Sequence, residues 1–298
     1  MNDWEARDYL TLLGFDSDGS AGLLTGTPSP ETLAAVHRAH VERVPYETLD
    51  FQLGRTVTLD VEELVRRILA GRGGYCFMLN SALAALLTHL GYRVRLHRGG
   101  VQGRGQEAVG ANGNHLALTV HDLPTPQVPG GVWLVDAGLG DALHEPLPLV
   151  PGVYRQGPFG YRLRPSPTVP GGLRFDHDPA GSFEGMDFSL DTTTVDSFSD
   201  MHHHLSTDPE SGFVRTATAQ RRHADGIDVL RGCVLRRTTA DGVHETVAAT
   251  RKTWFSLLTD TFGLHLADLA PADRERLWTT VIGSHERWVH GREGAPVP

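Results

Sequence analysis

Two cysteines in 298 residues, Cys76 and Cys233, are too few for a disulfide framework and are not spaced as zinc ligands would be. Basic charge is also scarce: 27 Lys and Arg stand against 36 Asp and Glu, for a net charge of -9 and a pI near 5.9. Binding to a phosphate backbone needs concentrated cations to release counterions, so nucleic acid is not expected as a partner. No stretch approaches the ~18 apolar residues of a membrane span, and the first residues, MNDWEARDYL, are polar and acidic where a signal peptide starts basic and turns apolar. These absences predict a cytoplasmic protein with no membrane partner. Low-complexity runs and internal repeats are missing as well. With 40% hydrophobic and 21% charged residues the composition is that of a folded chain, and its length predicts two or three subdomains sharing a core.

Ser29 followed by Pro30 reads as a helix N-cap with proline at the first helical position, and Leu33, Val36, His40, Val41 and Val44 recur at helical spacing until Pro45. Asp60 opens a second helix, with Glu63 completing a capping-box-like pattern and Gly71 closing it. A third begins at Cys76, carries Leu79, Leu83, Leu86, Leu87 and Leu90 on one face, and stops at Gly91. From Tyr92 the apolar period changes to two, through Val94 and Leu96, Leu116 to Val120, and Val132 and Leu134, which predicts antiparallel strands. After Gly185 the pattern predicts strands near 213 to 220 and 228 to 237 and a last helix around Asp273 to Gly283. The reading is therefore α+β, with a helical bundle over 1–90, a β-barrel over 91–195 and an α/β lid with a C-terminal helix over 196–298.

A cysteine is by default a small buried hydrophobe, and Cys233, inside the strand-like DVLRGCVLRR, is read that way. Cys76 is different. The segment GRGGYCFMLN sets three glycines and an arginine before a cysteine that starts a helix. The positive end of the helix dipole favours thiolate there, and glycines let a substrate approach. A thiolate needs a base or cationic partner, and 16 histidines offer themselves. His115 opens the strand HLALTV and Asp136 closes VWLVD, with the turn-rich LPTPQVPGG between. If the strands form a hairpin that sets 115 opposite 136, its turn centres near Pro126, inside that loop. Asp136 would then hold one imidazole nitrogen and leave the other for a thiol, which is the logic of a Cys, His, Asp triad.

RGGYCF resembles the signature around the active-site cysteine of the arylamine N-acetyltransferases. VPYETLDF, residues 44 to 51, is similar to that family's VPFENL, and WLVDAGLG, residues 133 to 140, to its LVDVGFG segment with the triad aspartate. DPESGFVRTATAQR, residues 208 to 221, resembles a later segment whose aromatic, here Phe213, lines the acceptor pocket. The resemblance implies a helical bundle, a β-barrel and a smaller lid. It also implies a ping-pong reaction in which Cys76 takes an acyl group from acetyl-CoA or another thioester, a co-substrate rather than a bound cofactor, and passes it to an arylamine, hydrazine or similar amine. Tyr46 and Phe213 are candidates for an apolar wall around the thioester, and Gly138 is read as a further substrate contact. Glu47 and Arg72, placed side by side by the resemblance, predict a buried ion pair joined by Asp50 that fixes the loop before Cys76. The Cys76 N–H is the expected first oxyanion donor.

Met78 stands where the family usually carries Glu or Gln, Tyr46, Thr48 and Leu139 replace the common Phe, Asn and Phe, and the loop from Gly99 to Gly113 is rich in glycine. These departures keep open an amide synthase that releases a polyketide chain from an acyl carrier protein as an amide or lactam. A thiol hydrolase and a non-catalytic binding protein are the remaining alternatives. His202, His203 and His204 are read as a strand, where neighbours point to opposite faces and cannot share one ion, so no metal is expected. Gly73 and Gly74 lack the following Lys-Ser/Thr of a phosphate loop.

Overall fold

The Ser29 hydroxyl accepts from Thr32 N–H and Thr32 Oγ1 accepts from Ser29 N–H, and this reciprocal cap starts the helix Pro30–Arg43. The helix stops there because Pro45 drives its predecessor, Val44, into an extended conformation. Asp60 caps Val61–Leu69 by accepting from Glu63 N–H at 3.0 Å, and the chain leaves through Gly71 at φ +78°. The computed structural model describes residues 1–293; the last five residues of the 196–298 region lie outside the described residues.

Cys76–His89 buries almost its whole surface, including Phe77, Leu79, Leu83, Leu86 and Leu87. Such a helix has to run through the middle of a core rather than along its edge. The helices around it supply that core: Tyr9 and Leu10 from Asp3–Leu12, Leu33 and Val36 from Pro30–Arg43, and Leu64, Val65 and Ile68 from Val61–Leu69. The first of these, and Ser17–Thr25 after it, are helices that the apolar spacing did not predict. Each is announced instead by a polar N-cap, Asn2 and Asp16.

Eight strands follow: Arg93–Gly103, His115–His121, Trp133–Val135, Leu147–Pro148, Gly152–Gln156, Phe159–Pro165, Leu173–Asp176 and Phe183–Thr193. They form one antiparallel sheet in which Arg93–Gly103 pairs with both His115–His121 and Phe183–Thr193. The two edge strands, Leu147–Pro148 and Gly152–Gln156, are consecutive in sequence with three residues between them. The sheet therefore has to curl until its edges approach, giving a nearly closed barrel filled by Phe159, Tyr161, Phe175, Met186 and Phe188.

A second antiparallel sheet joins Tyr46–Glu47 to Thr218–Arg222, Gly226–Arg231, Val234–Thr239 and Gly242–Val247. The helices Arg251–Phe262 and Pro271–Glu293 cover it, packing Trp254, Leu258, Phe262 and Leu277 on Ala219, Leu230 and Leu235. Several expectations are corrected here. The stretch predicted as a strand near 213 to 220 opens with a helical turn, Gly212–Arg215, and extends only from Thr218. The 228 to 237 stretch is two strands with a tight turn at Gly232 and Cys233, where Gly232 takes φ +56°. Cys233 is buried in that turn rather than in a strand. His202, His203 and His204 lie on the helix Ser199–Thr207, which continues from the 3-10 turn Val195–Phe198, so they are spread around a helix rather than set on the two faces of a strand.

Candidate functional site

Cys76 is the first residue of its helix, with extended Tyr75 as the N-cap. Met78 N–H turns back to the Tyr75 carbonyl at 2.9 Å, and the N–H groups of Cys76 and Phe77 precede the first intrahelical bond at the thiol end. The sulfur is buried, 3.7 Å from the Asn114 carbonyl oxygen. His115, the next residue, begins the strand His115–His121, and Cys76 is near enough to its ring to help keep it protonated.

His115 Nε2 lies 2.7 Å from Asp136 Oδ2, with both side chains buried. The strands that carry them pair two residues away from the expected register: Leu118 stands opposite Val135 and Val120 opposite Trp133. His115 and Asp136 are thus diagonal neighbours on one face, a separation that a histidine and an aspartate bridge. Burial disfavours charge on the imidazole. The Asp136 charge and hydrogen bond, aided by Cys76, override it and push the His115 pKa up to about 10.

Asn80, one turn beyond Cys76 on the same helix face, organises the carboxylate, and the sequence reading passed over it. Its Nδ2 donates to Asp136 Oδ1 at 2.7 Å and to Leu116 O at 2.6 Å, while its Oδ1 accepts from the N–H groups of Ala137 and Gly138. The spacing of four residues from the cysteine is the signal that marks it. Gly138 also donates to Asp136 Oδ1 at 2.9 Å. A Cβ at Gly138 would stand 2.6 Å from Cys76 Cα, so this position is glycine to let two backbones touch.

The loop before the cysteine is clamped from three directions. Arg72 donates to Glu47 Oε1 at 3.1 Å, to Asp50 Oδ2 at 2.9 Å and to Asp268 Oδ2 at 2.6 Å. Arg67 adds contacts to Glu47 and Asp50 and donates to the Gly73 carbonyl at 2.7 Å. The expected Glu47–Arg72 pair joined by Asp50 is present, and Arg67 and Asp268 enlarge it. Burial works against the Glu47 charge, but the two guanidinium groups hold its pKa down at about 2. Gly73 is held so close to Pro45 that a Cβ would lie 1.9 Å from the Pro45 carbonyl oxygen.

Tyr46 and Gly74 form a bridge, with Glu47 N–H donating to Gly74 O at 2.8 Å. Burial and then the charge of Cys76 raise the pKa of the Tyr46 phenol. Phe213 meets the Tyr75 ring edge-on at 5.3 Å, and Tyr75 hydrogen-bonds His202 Nδ1 at 2.7 Å while His202 Nε2 reaches Val57 O. Tyr46 and Phe213 are half-buried and pack on the same core cluster that holds Tyr75 and Cys76. Met78 is buried and lies against Gly74. Among the described residues no group of three or more His, Cys, Asp and Glu side chains is placed to hold a metal ion, and no helix is long and apolar enough to cross a membrane.

A family model described as N-acetyltransferase matches residues 29–270, which span the cysteine loop, both sheets and the clamp. The chain belongs to the arylamine N-acetyltransferase family. Among curated proteins it is 36% identical over 141 residues to the arylamine N-acetyltransferase / N-hydroxyarylamine O-acetyltransferase of Salmonella typhimurium, covering 46% of this chain and 48% of that one. It is 32% identical over 168 residues to the proansamycin X synthase of Amycolatopsis mediterranei, covering 55% and 59%. The chain thus spans about half to three fifths of the length of these two relatives. The fold similarity is longer: the Mycobacterium marinum arylamine N-acetyltransferase in complex with CoA superposes with a TM-score of 0.79 at 27% identity, over 92% of this chain and 97% of that one.

Proposed function

We propose that this N-acetyltransferase family member moves an acetyl group from acetyl-CoA through a Cys76 thioester to an arylamine, hydrazine or similar amine. The buried His115–Asp136 contact of 2.7 Å beside Cys76 carries the reading, because it keeps an imidazolium next to the sulfur. The Cys76 thiolate attacks the carbonyl carbon of the donor thioester, and the bond from that carbon to the CoA sulfur breaks. The departing CoA thiolate takes the His115 proton and leaves as free thiol. An amine then attacks the acetyl-cysteine, His115 removes its proton, and the carbon–sulfur bond to Cys76 breaks to give the amide and restore the ion pair. No cofactor is held between turnovers.

In this reading Asp136 orients His115, Glu47 and Arg72 hold the loop, Tyr46 and Phe213 border the acceptor, and Gly138 acts by letting the backbone approach Cys76. The Cys76 N–H is the first oxyanion donor. The regions 1–90, 91–195 and 196–298 act as bundle, barrel and lid, and a cytoplasmic setting suits two free cysteines.

Similarity to proansamycin X synthase, together with apolar Met78 and the glycine-rich loop from Gly99 to Gly113, favours a second reading on the same triad: an amide synthase that takes its acyl group from a carrier protein. Intact-protein mass spectrometry separates the two. Exposure to acetyl-CoA should add one acetyl group at Cys76, lost again on adding an aromatic amine. Modification by long acyl thioesters but not by acetyl-CoA selects the synthase, and a cysteine that no thioester modifies defeats both.

A further inference from the structure

Asp136 ends the strand Trp133–Val135, and its side chain is fully engaged: Oδ2 with His115, Oδ1 with Asn80 and Gly138. Ladder pairing of the two strands runs to Val135 and leaves the Asp136 N–H outside it. A buried amide without a partner is costly. That N–H donates to His37 Nε2 at 3.3 Å, from the helix Pro30–Arg43 and 99 residues away in sequence.

His37 is fully buried, and both of its nitrogens are committed. Nε2 accepts, so the ring proton is on Nδ1, where it is donated to the His144 carbonyl at 3.1 Å. The groups facing the ring are Asp136, His144 and, one turn along its own helix, His40, whose Nε2 meets the Tyr9 hydroxyl at 2.9 Å.

We infer that His37 is a positioning residue, a neutral Nδ1–H imidazole that anchors the backbone of Asp136 and so fixes the carboxylate that orients His115. The inference rests on the triad reading above. Burial lowers the His37 pKa to about 4, against weaker opposing effects of the two backbone hydrogen bonds, which keeps Nε2 an acceptor through neutral pH. A protonated His37 would turn a donor toward the Asp136 N–H and push the peptide away. The anchor differs from that of Asn80, which holds the carboxylate from the cysteine helix. His37 holds the chain behind it from another helix, so the nucleophile and its orienting acid are tied to one bundle.

The test compares His37→Leu, which keeps volume and removes the acceptor, with His37→Gln, whose amide can accept from Asp136 and donate to His144. Alkylation of the Cys76 peptide by iodoacetamide, followed against pH, reads the His115 limb without requiring any thioester. His37→Leu should slow alkylation at pH 7 by about 10- to 100-fold, the scale of a small misplacement of a catalytic group. It should also lower the alkaline limb by about one unit or more, as the carboxylate loosens, and His37→Gln should restore both. Equal rates and limbs in all three proteins would overturn the proposal, as would equal losses in both variants with the limb unmoved.

Imidazole 15N NMR of the unaltered protein decides the matter even if neither variant folds. A single neutral Nδ1–H form of His37 from pH 5 to pH 8 is expected, and titration in that range or a proton on Nε2 refutes the anchor. Failure of acetyl-CoA to modify Cys76 would touch the proposed reaction alone, since neither alkylation nor NMR depends on it.

Discussion

Replacing Asp136 with asparagine preserves the size of the side chain and removes the charge that keeps a proton on His115. Raising a buried imidazole from 6.5 to about 10 corresponds to ~5 kcal/mol favouring the charged form. Without the carboxylate, burial is left to dominate and the ring is neutral at pH 7. The geometry adds a second loss. Asn80 Nδ2 and the Gly138 N–H both donate to Oδ1, so the amide of Asp136→Asn must present its oxygen there and its NH2 to His115 Nε2. That forces the proton to Nδ1, on the side of Cys76, and leaves no acceptor for the thiol proton. The acylation rate should fall by about 10³- to 10⁴-fold, as in other triads forced into the wrong tautomer. Rapid-quench measurement of CoA release in a single turnover reads this step alone. In the native protein the same step should be lost on the alkaline side near pH 10, where the imidazolium deprotonates. Because the folded pKa of His115 lies above its unfolded value, its contribution to stability is complete below about pH 6.5 and fades as pH climbs to 10. Acylation of Asp136→Asn within threefold of the native rate, with the alkaline limb unmoved, would refute this account of the ion pair.

Arg72→Met leaves Glu47 and Asp50 with Arg67 as their remaining close guanidinium partner, and chemical denaturation should register a loss below the ~3–5 kcal/mol of a fully stranded buried charge. For Gly138→Ala, a methyl group 2.6 Å from Cys76 Cα forces the two backbones apart; acylation should drop by about 10²-fold while circular dichroism shows a folded protein. Cys233 is buried in a turn and burial raises its pKa to about 11, so Cys233→Ala should leave turnover within about twofold. Turnover that depends on Cys233 would move the nucleophile.

The parts of this protein that were legible in its sequence are those governed by neighbours along the chain. Ser29, Asp60 and Gly91 mark helix ends because capping is settled within four residues, and Cys76 at a helix start follows from the glycines and the apolar stripe around it. The His115–Asp136 contact emerged from a hairpin whose register was two residues off, since the strand pairing depends on the shape of the loop between Asp122 and Gly131 and not on its length alone. Asn80 was within reach of pattern reading, four residues from the cysteine. His37 was not: its partner is 99 residues away, and a histidine on an apolar helix face carries no mark of what lies opposite. Asp268 is hidden in the same way, 196 residues from Arg72. Beyond residue 195 short strands and turns of few residues leave little periodicity to read, which is why the spacing around Cys233 and His202 predicts strands where the structure has a turn and a helix.

The clamp on the cysteine loop has a consequence for synthesis. Cys76, His115 and Asp136 have all been translated by the time the barrel strands are complete at Thr193, but the strand Thr218–Arg222, which pairs with Tyr46 and Glu47, and Asp268, which grips Arg72, have not. A ribosome-bound chain of that length owns the nucleophile but lacks the fastenings of the loop beneath it. Contacts of such long range form late in folding. The loop beneath the nucleophile therefore takes its final form only after the segments that carry Thr218–Arg222 and Asp268 have joined the fold.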